Sequence, residues 1–161
     1  MNTRFQRFFA NYGQTIDGKA YEQQYRSFLA EGHSPMPQAK QLLADLSSTH
    51  DLYVVTNGIA KTQHRRLNES GLAPYFTTIF ASETVGVQKP NRGFFDYVAH
   101  QINGFSKNQS LVIGDSLTSD IKGASSYGIN SVWFNPAHKA NTVKIKPTYE
   151  IDQLLHLETI V

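Results

Sequence analysis

From residue 52 onward, short apolar runs alternate with segments of helical period, and this alternation restricts the possible folds more than any other feature. Leu52-Tyr53-Val54-Val55 is a continuous apolar run with the texture of a strand buried on both faces. Thr78-Ile79-Phe80, Leu111-Val112-Ile113 and Ser131-Val132-Trp133-Phe134 repeat that texture. Between them lie helical patterns. One runs from about Lys61 to Ser70 and is closed by Gly71; a second is capped by Asn91 and carries Phe94, Phe95, Val98 and Ile102. A third is marked by Ile121, Ala124 and Tyr127 and ends at Gly128, and Asp152 is expected to cap a last short helix through Leu154, Leu155 and Leu157. Strands alternating with helices form βαβ units and a mostly parallel sheet, and right-handed crossovers place helices on both of its faces. The expected fold class is therefore α/β, doubly wound.

The first 48 residues read differently. Phe5, Phe8 and Phe9 recur at near-helical spacing until Asn11-Tyr12-Gly13. Asp17 can cap a second helix with the stripe Tyr21, Tyr25, Phe28 and Leu29, stopped by Gly32. Pro37 suits the first turn of a third helix carrying Ala39, Leu42, Leu43 and Leu46. The expected division is a helical appendage over 1–48 and an α/β core over 49–161. The 15 basic and 13 acidic residues are too evenly matched to make nucleic acid or an anionic membrane the main partner. There are no cysteines, which excludes disulfides, thiolate metal sites and a Cys nucleophile. The opening residues lack the apolar run of a signal peptide, and no stretch is long enough to cross a bilayer, so a cytoplasmic location is expected.

Open parallel sheets bind ligands beyond their C-terminal strand ends, which directs attention to two places. At Thr56-Asn57-Gly58, a hydroxyl and successive backbone N–H groups entering a helix can cradle an anion. The same three residues are also ordinary turn material, and taken alone that reading is the better one. Lys89, held extended before Pro90, could place an ammonium over a phosphate, although a solvated surface lysine is far more common. Gly114-Asp115-Ser116-Leu117-Thr118-Ser119-Asp120 crowds two carboxylates and several hydroxyls at the end of a buried strand. Hard oxygen donors of this kind suit Mg²⁺, with Asp115 as the direct ligand, Asp120 in support and Ser116 as a weak third. A helix cap would account for one of those carboxylates and leave the other unexplained. The six histidines show no metal-ligand spacing, and Trp133 reads as core.

Taken in order, these pieces resemble the signature of the haloacid-dehalogenase-like (HAD) phosphatase superfamily. Val54-Val55-Thr56-Asn57-Gly58 is similar to its second motif, Lys89-Pro90 to its third, and Gly114-Asp115-Ser116 through Asp120 to its fourth. Thirty-three positions separate Thr56 from Lys89 and 26 separate Lys89 from Asp115, each room for a helix and a strand. Thr56 to Ala60, Gly114 to Ile121 and Trp133-Phe134-Asn135 look most like the bacterial pyrimidine 5′-nucleotidase branch. The resemblance implies a Mg²⁺-dependent phosphatase acting on a small phosphorylated metabolite, a nucleoside 5′-monophosphate. It further implies that Thr56, Asn57 and Gly58 hold the transferring phosphoryl group, that Lys89 neutralises charge on it, and that Asp115 binds Mg²⁺ with help from Asp120. Residues 1–48 would be the second half of the family's helical cap.

The sequence departs from that pattern at one place. The superfamily begins with an apolar strand and Asp-x-Asp, whose first carboxylate attacks phosphorus and whose second is the general acid and base. None of the seven aspartates here (Asp17, Asp45, Asp51, Asp96, Asp115, Asp120, Asp152) forms Asp-x-Asp. Met1 falls within what resembles the cap, so the chain is expected to be an N-terminally truncated nucleotidase, inactive alone. In the family, the strand bearing that motif lies between those ending at Thr56 and at Asp115, so two strand edges should be unpaired. The alternatives are a non-catalytic binding or scaffold protein that keeps the HAD shell, or a dehalogenase. Dehalogenation needs no Mg²⁺, so the Asp115/Asp120 pair argues against it.

Overall fold

Each apolar run forms a strand in the computed structural model, which describes residues 3–161. They are β1 (Tyr53–Thr56), β2 (Thr78–Ala81), β3 (Leu111–Gly114) and β4 (Asn130–Phe134). A fifth strand, β5 (Tyr149–Ile151), was not anticipated. Only Ile151 of its three residues is buried, so it shows no apolar run; pairing with β4 creates it, with Val132 opposite Tyr149 and Phe134 opposite Ile151. All pairings are parallel, but the strands form two sheets, β1-β2 and β3-β4-β5. Among the described residues β1 and β3 thus each pair on one side only, as the family resemblance implies.

The helices between strands start and stop where their polar residues allow. After β1 comes α4 (Ala60–Glu69), and after β2 the short α5 (Ser82–Val85). α6 (Arg92–Gln101) is capped by Asn91, whose side-chain oxygen accepts the Gly93 N–H at 2.9 Å. α7 (Lys122–Tyr127) closes at Gly128, whose φ of +85° is the left-handed conformation of a helix C-terminus. Phe94, Phe95 and Val98 from α6 join Ala124 and Tyr127 from α7 in a buried cluster that also contains Phe80. Val55 of β1 and Val112 of β3 both pack on it, so one helical layer floors both sheets. The approach of α7 to α6 leaves no room at Gly123, where a Cβ would lie 2.5 Å from the Phe95 ring and 3.3 Å from the Pro90 backbone.

The N-terminal helices are α1 (Arg4–Ala10), α2 (Gly18–Glu31) and α3 (Ala39–Ser47). Asp17 caps α2 as expected, accepting the Lys19 and Ala20 N–H groups at 3.0 and 3.2 Å. Tyr21 and Tyr25 pack against Phe5, and Tyr21 also against Phe9, joining α1 and α2 as a hairpin. The α2 stripe is only partly covered, since Phe28 and Leu29 remain exposed. α3 starts after Pro37, with Gln38 at φ +66° as its first flanking residue. Its Leu42 is buried with Val132, Ile151 and Leu157 in a second cluster, so this helix packs on the α/β core although it lies before residue 48. Asp152 does not cap the final turn, a 3-10 helix over Leu154–Thr159 that has no side-chain cap. Its carboxylate lies instead 3.1 Å from His156 Nδ1 and 3.6 Å from His138 Nε2. No helix among the described residues is long and apolar enough to cross a membrane.

Phe94 is fully buried at the centre of the shared helical layer. Phe94→Ala should cost about 3–5 kcal/mol of stability in urea unfolding followed by circular dichroism.

Candidate active site

Parallel strands bring their C-terminal ends to one rim, and the chain leaves that rim through two tight turns. At the first, Thr56 Oγ1 accepts the Gly58 N–H at 3.1 Å. A Cβ at Gly58 would lie 2.5 Å from Gln63 Nε2 and 3.2 Å from Thr56 Oγ1, so a side chain there would displace the end of Gln63 and crowd the Thr56 hydroxyl. The following helix, α4, has no cap from its own sequence; Glu83 of α5 reaches across to accept the Ala60 N–H at 3.0 Å. At the second turn Ser116 Oγ accepts the Ser119 N–H, and a π-helical turn over Leu117–Ile121 leads into α7.

Lys89 joins the two turns. Its Nζ donates to the Val55 carbonyl at 2.6 Å and to Asp120 Oδ1 at 2.7 Å. Both side chains of this ion pair are buried, at 6% and 11% exposure. The other Asp120 oxygen accepts the Ser116 N–H at 3.2 Å. Asn57 completes the junction: its Oδ1 accepts the Lys89 N–H at 2.8 Å, while its Nδ2 donates to the Lys89 carbonyl at 2.9 Å and to Ser119 Oγ at 3.2 Å. Gly114 is required beneath this arrangement, because a Cβ there would run into the Asp120 carboxylate.

Asp115 behaves differently. It is exposed, and its carboxylate has no hydrogen bond or ion pair among the described residues. Its backbone is fixed nonetheless: the carbonyl accepts from Trp133 Nε1 at 3.0 Å, and Trp133 is buried on β4. The structure therefore brings Asn57, Lys89, Ser116 and Asp120 into one connected network. Thr56 and Gly58 lie on one flank and the Asp115 carboxylate on the other.

Three contributions escaped sequence reading. Asn57 was singled out for its main-chain amide, whereas its side chain is the clamp. Ser119 and Trp133 were read as part of a motif and as core; the i, i+3 spacing of Ser116 and Ser119 is a capping signal that could have flagged Ser119. Nothing local marks Trp133 as the support of the Asp115 backbone, since 18 residues separate them.

Chemically, the rim offers hard oxygen donors, namely a carboxylate at Asp115, the Ser116 hydroxyl and the already paired Asp120. These fit Mg²⁺, which binds through one or two carboxylates and keeps waters and phosphate oxygens for the remaining positions. No three His, Asp or Glu side chains gather around one point among the described residues, so the protein share of such a shell is small. A cleft of about 220 Å³ opens beside the first turn, lined by Asn57, Gly58 and Gln63 and by Arg4, Arg26 and Arg66. Glu22, the acidic member of its wall, is held below the usual carboxylate range by hydrogen bonds from Arg4 and then Arg26.

A buried ion pair is costly to break from one side and much less so to replace whole. Lys89→Met and Asp120→Leu should each destabilise by about 3–5 kcal/mol, and the double variant should recover most of that loss. Urea unfolding of the four proteins measures the cycle; additive losses would show that the pair does not act as a unit.

Known proteins resemble this chain over most of its length. The Haloacid dehalogenase-like hydrolase family matches residues 1–134. YfnB of Bacillus subtilis, named as a HAD-hydrolase, is 47% identical over 161 residues, covering 100% of this chain and 68% of YfnB. The pyrimidine 5′-nucleotidase PynA of Streptococcus pneumoniae is 45% identical over 152 residues, 94% of this chain and 64% of PynA. The pyrimidine 5′-nucleotidase YjjG of Escherichia coli is 35% identical over 133 residues, 83% of this chain and 59% of YjjG. The crystal structure of YfnB bound to magnesium superposes with a TM-score of 0.93 at 48% identity, over 99% of this chain and 70% of that one. The chain thus spans roughly three-fifths to two-thirds of the length of these relatives, and it belongs to the haloacid dehalogenase-like hydrolase family.

Proposed function

We propose that this rim is the phosphate and Mg²⁺ side of a phosphatase site for pyrimidine nucleoside 5′-monophosphates. The observation that carries the reading is the meeting of Lys89, Asp120, Asn57 and the Thr56 turn beside an uncommitted carboxylate at Asp115. Phosphoryl transfer is mostly a matter of positioning and charge neutralisation, and each of these groups serves one of those ends. The Thr56 hydroxyl still has its own proton to donate, because it accepts from Gly58 and gives nothing away within the turn. Lys89 has three N–H groups and uses two, leaving one for a phosphate oxygen. Asp115, anchored through its own carbonyl, would hold Mg²⁺, with Ser116 beside it and Asp120 supporting from its place against Lys89. Mg²⁺ would supply charge neutralisation on the phosphoryl oxygens.

The nucleoside end belongs in the 220 Å³ cleft between the α1–α2 hairpin and the first turn. α1 and α2 serve as a cap segment in this reading. Arg4 and Arg26 of the cleft are paired with Glu22 and Arg66 donates to the Gly32 carbonyl, so its wall is polar and held in place; the names of PynA and YjjG support a pyrimidine nucleotide as the ester.

Binding and turnover separate here, because no aspartate of this chain stands in an Asp-x-Asp motif. The chain by itself should bind and not hydrolyse. A second reading, a non-catalytic binding protein with the HAD shell, is favoured by the mutual commitment of Lys89 and Asp120.

Titration calorimetry with uridine 5′-monophosphate should show binding that needs Mg²⁺ and is lost in Asp115→Asn, while a phosphate-release assay on the same samples stays at background. Binding indifferent to both Mg²⁺ and Asp115→Asn would refute the reading, as would turnover that survives that substitution.

A further inference from the structure

We infer that Gln63 is a ligand-binding residue of the rim, whose side-chain amide donates to a phosphate oxygen beside the Thr56 hydroxyl. The inference rests on the phosphate role proposed for the first turn and adds to that turn a donor from α4.

Three observations carry it. First, the amide is unspent. Gln63 is half-buried, yet among the described residues only its backbone is bonded, the N–H donating to the Ile59 carbonyl at 3.0 Å. A half-buried amide needs water or a ligand to complete its hydrogen bonds. Second, the amide lies over the first turn. A Cβ on Gly58 would meet Gln63 Nε2 at 2.5 Å and Thr56 Oγ1 at 3.2 Å, so amide and hydroxyl flank one point above the glycine. That separation lets a single oxygen atom accept from both. Gly58 does not have a positive φ, so its backbone makes no demand for glycine; clearance for these two side chains does. Third, the place opens to the cleft. Ile59, which flanks α4, and Thr62, Gln63 and Arg66 within it follow i, i+3, i+4 and i+7, the spacing of one helix face. That face is a wall of the 220 Å³ cleft.

The chemistry of these groups selects what they bind. The Thr56 hydroxyl accepts from the Gly58 N–H and keeps its proton, and the Gln63 amide keeps both of its own. Lys89, with one N–H to spare, is tied to the Val55 carbonyl directly before Thr56. The carboxylates bordering this place are spent elsewhere: Glu83 accepts the Ala60 N–H, and Glu22 is paired with Arg4 and Arg26. Free donors that converge with no free acceptor among them suit an oxygen carrying negative charge, and a phosphate group supplies three. A neutral amide adds its hydrogen bond without a further charge beside the Lys89–Asp120 pair.

The test is titration calorimetry of the full chain in Mg²⁺ with two ligands in turn, inorganic phosphate and uridine 5′-monophosphate. Gln63→Met keeps an unbranched side chain of similar length and deletes the amide. It should weaken both ligands about tenfold and to the same extent, because both present the same phosphate. His64→Ala, on the exposed side of α4, should bind both as the unaltered chain does. In nitrogen–proton correlation spectra of the unaltered chain, saturating phosphate should shift the side-chain NH₂ pair of Gln63, which a mere packing role would leave in place. Unchanged affinities in Gln63→Met, or no shift of that pair, would overturn the inference while the phosphate turn stands. A loss confined to uridine 5′-monophosphate would also overturn it, since the amide would then read the nucleoside. Failure of the unaltered chain to bind either ligand would bring down the inference and the phosphate reading of the rim together.

Discussion

The ion pair between Lys89 and Asp120 holds the two halves of this molecule in register. Lys89 arrives from the loop after α5, Asp120 from the turn after β3, and the same ammonium takes the Val55 carbonyl at the end of β1. Two separate sheets are thus tied at one rim by a single buried cation. Burial makes the tie specific, because a desolvated ammonium tolerates no position where its partners are absent. The neighbours are arranged around this requirement. Gly114 makes room for the carboxylate, Ser116 donates to it, and Asn57 grips both main-chain polar groups of Lys89.

This arrangement leaves a functional asymmetry. Asp120 is committed inside the network, whereas Asp115, five residues earlier, is exposed and has only its backbone pinned by Trp133. One carboxylate of the loop keeps the architecture and the other remains available to solvent and to ligands. The sequence reading gives Asp115 the direct ligand's part and Asp120 a supporting one. The packing separates them by direction, one turned back over Gly114 and the other outward.

The split sheet is the other consequence of the fold. Its two parts share a helical layer through Val55 and Val112 and share a rim through Lys89, but they do not share a ladder. Unpaired strand edges are a liability in most proteins. Here the C-terminal ends of the two strands are joined at the same charged site, where Asn57 reaches Ser119 and Lys89 reaches both Val55 and Asp120.

Much of this was legible in the order of residues. Continuous apolar runs located β1 to β4 within a residue or so, Asp17 and Asn91 announced their helices, and the residues following β1 and β3 pointed to the rim. The absence of Asp-x-Asp is likewise a fact of sequence alone. Such features are local, and local chemistry determines them wherever the chain sits. What only the tertiary structure decided is everything that depends on distant partners. β5 exists because β4 pairs with it, α3 joins the core because Leu42 meets Val132, and Asp152 turns to His138 and His156 instead of capping a helix. Trp133 holds the Asp115 backbone from 18 residues away, and Lys89 finds its carboxylate 31 residues along the chain. Hydrogen bonds and ion pairs of that kind leave no periodic trace in a sequence, since their geometry is set only when separate elements are packed together.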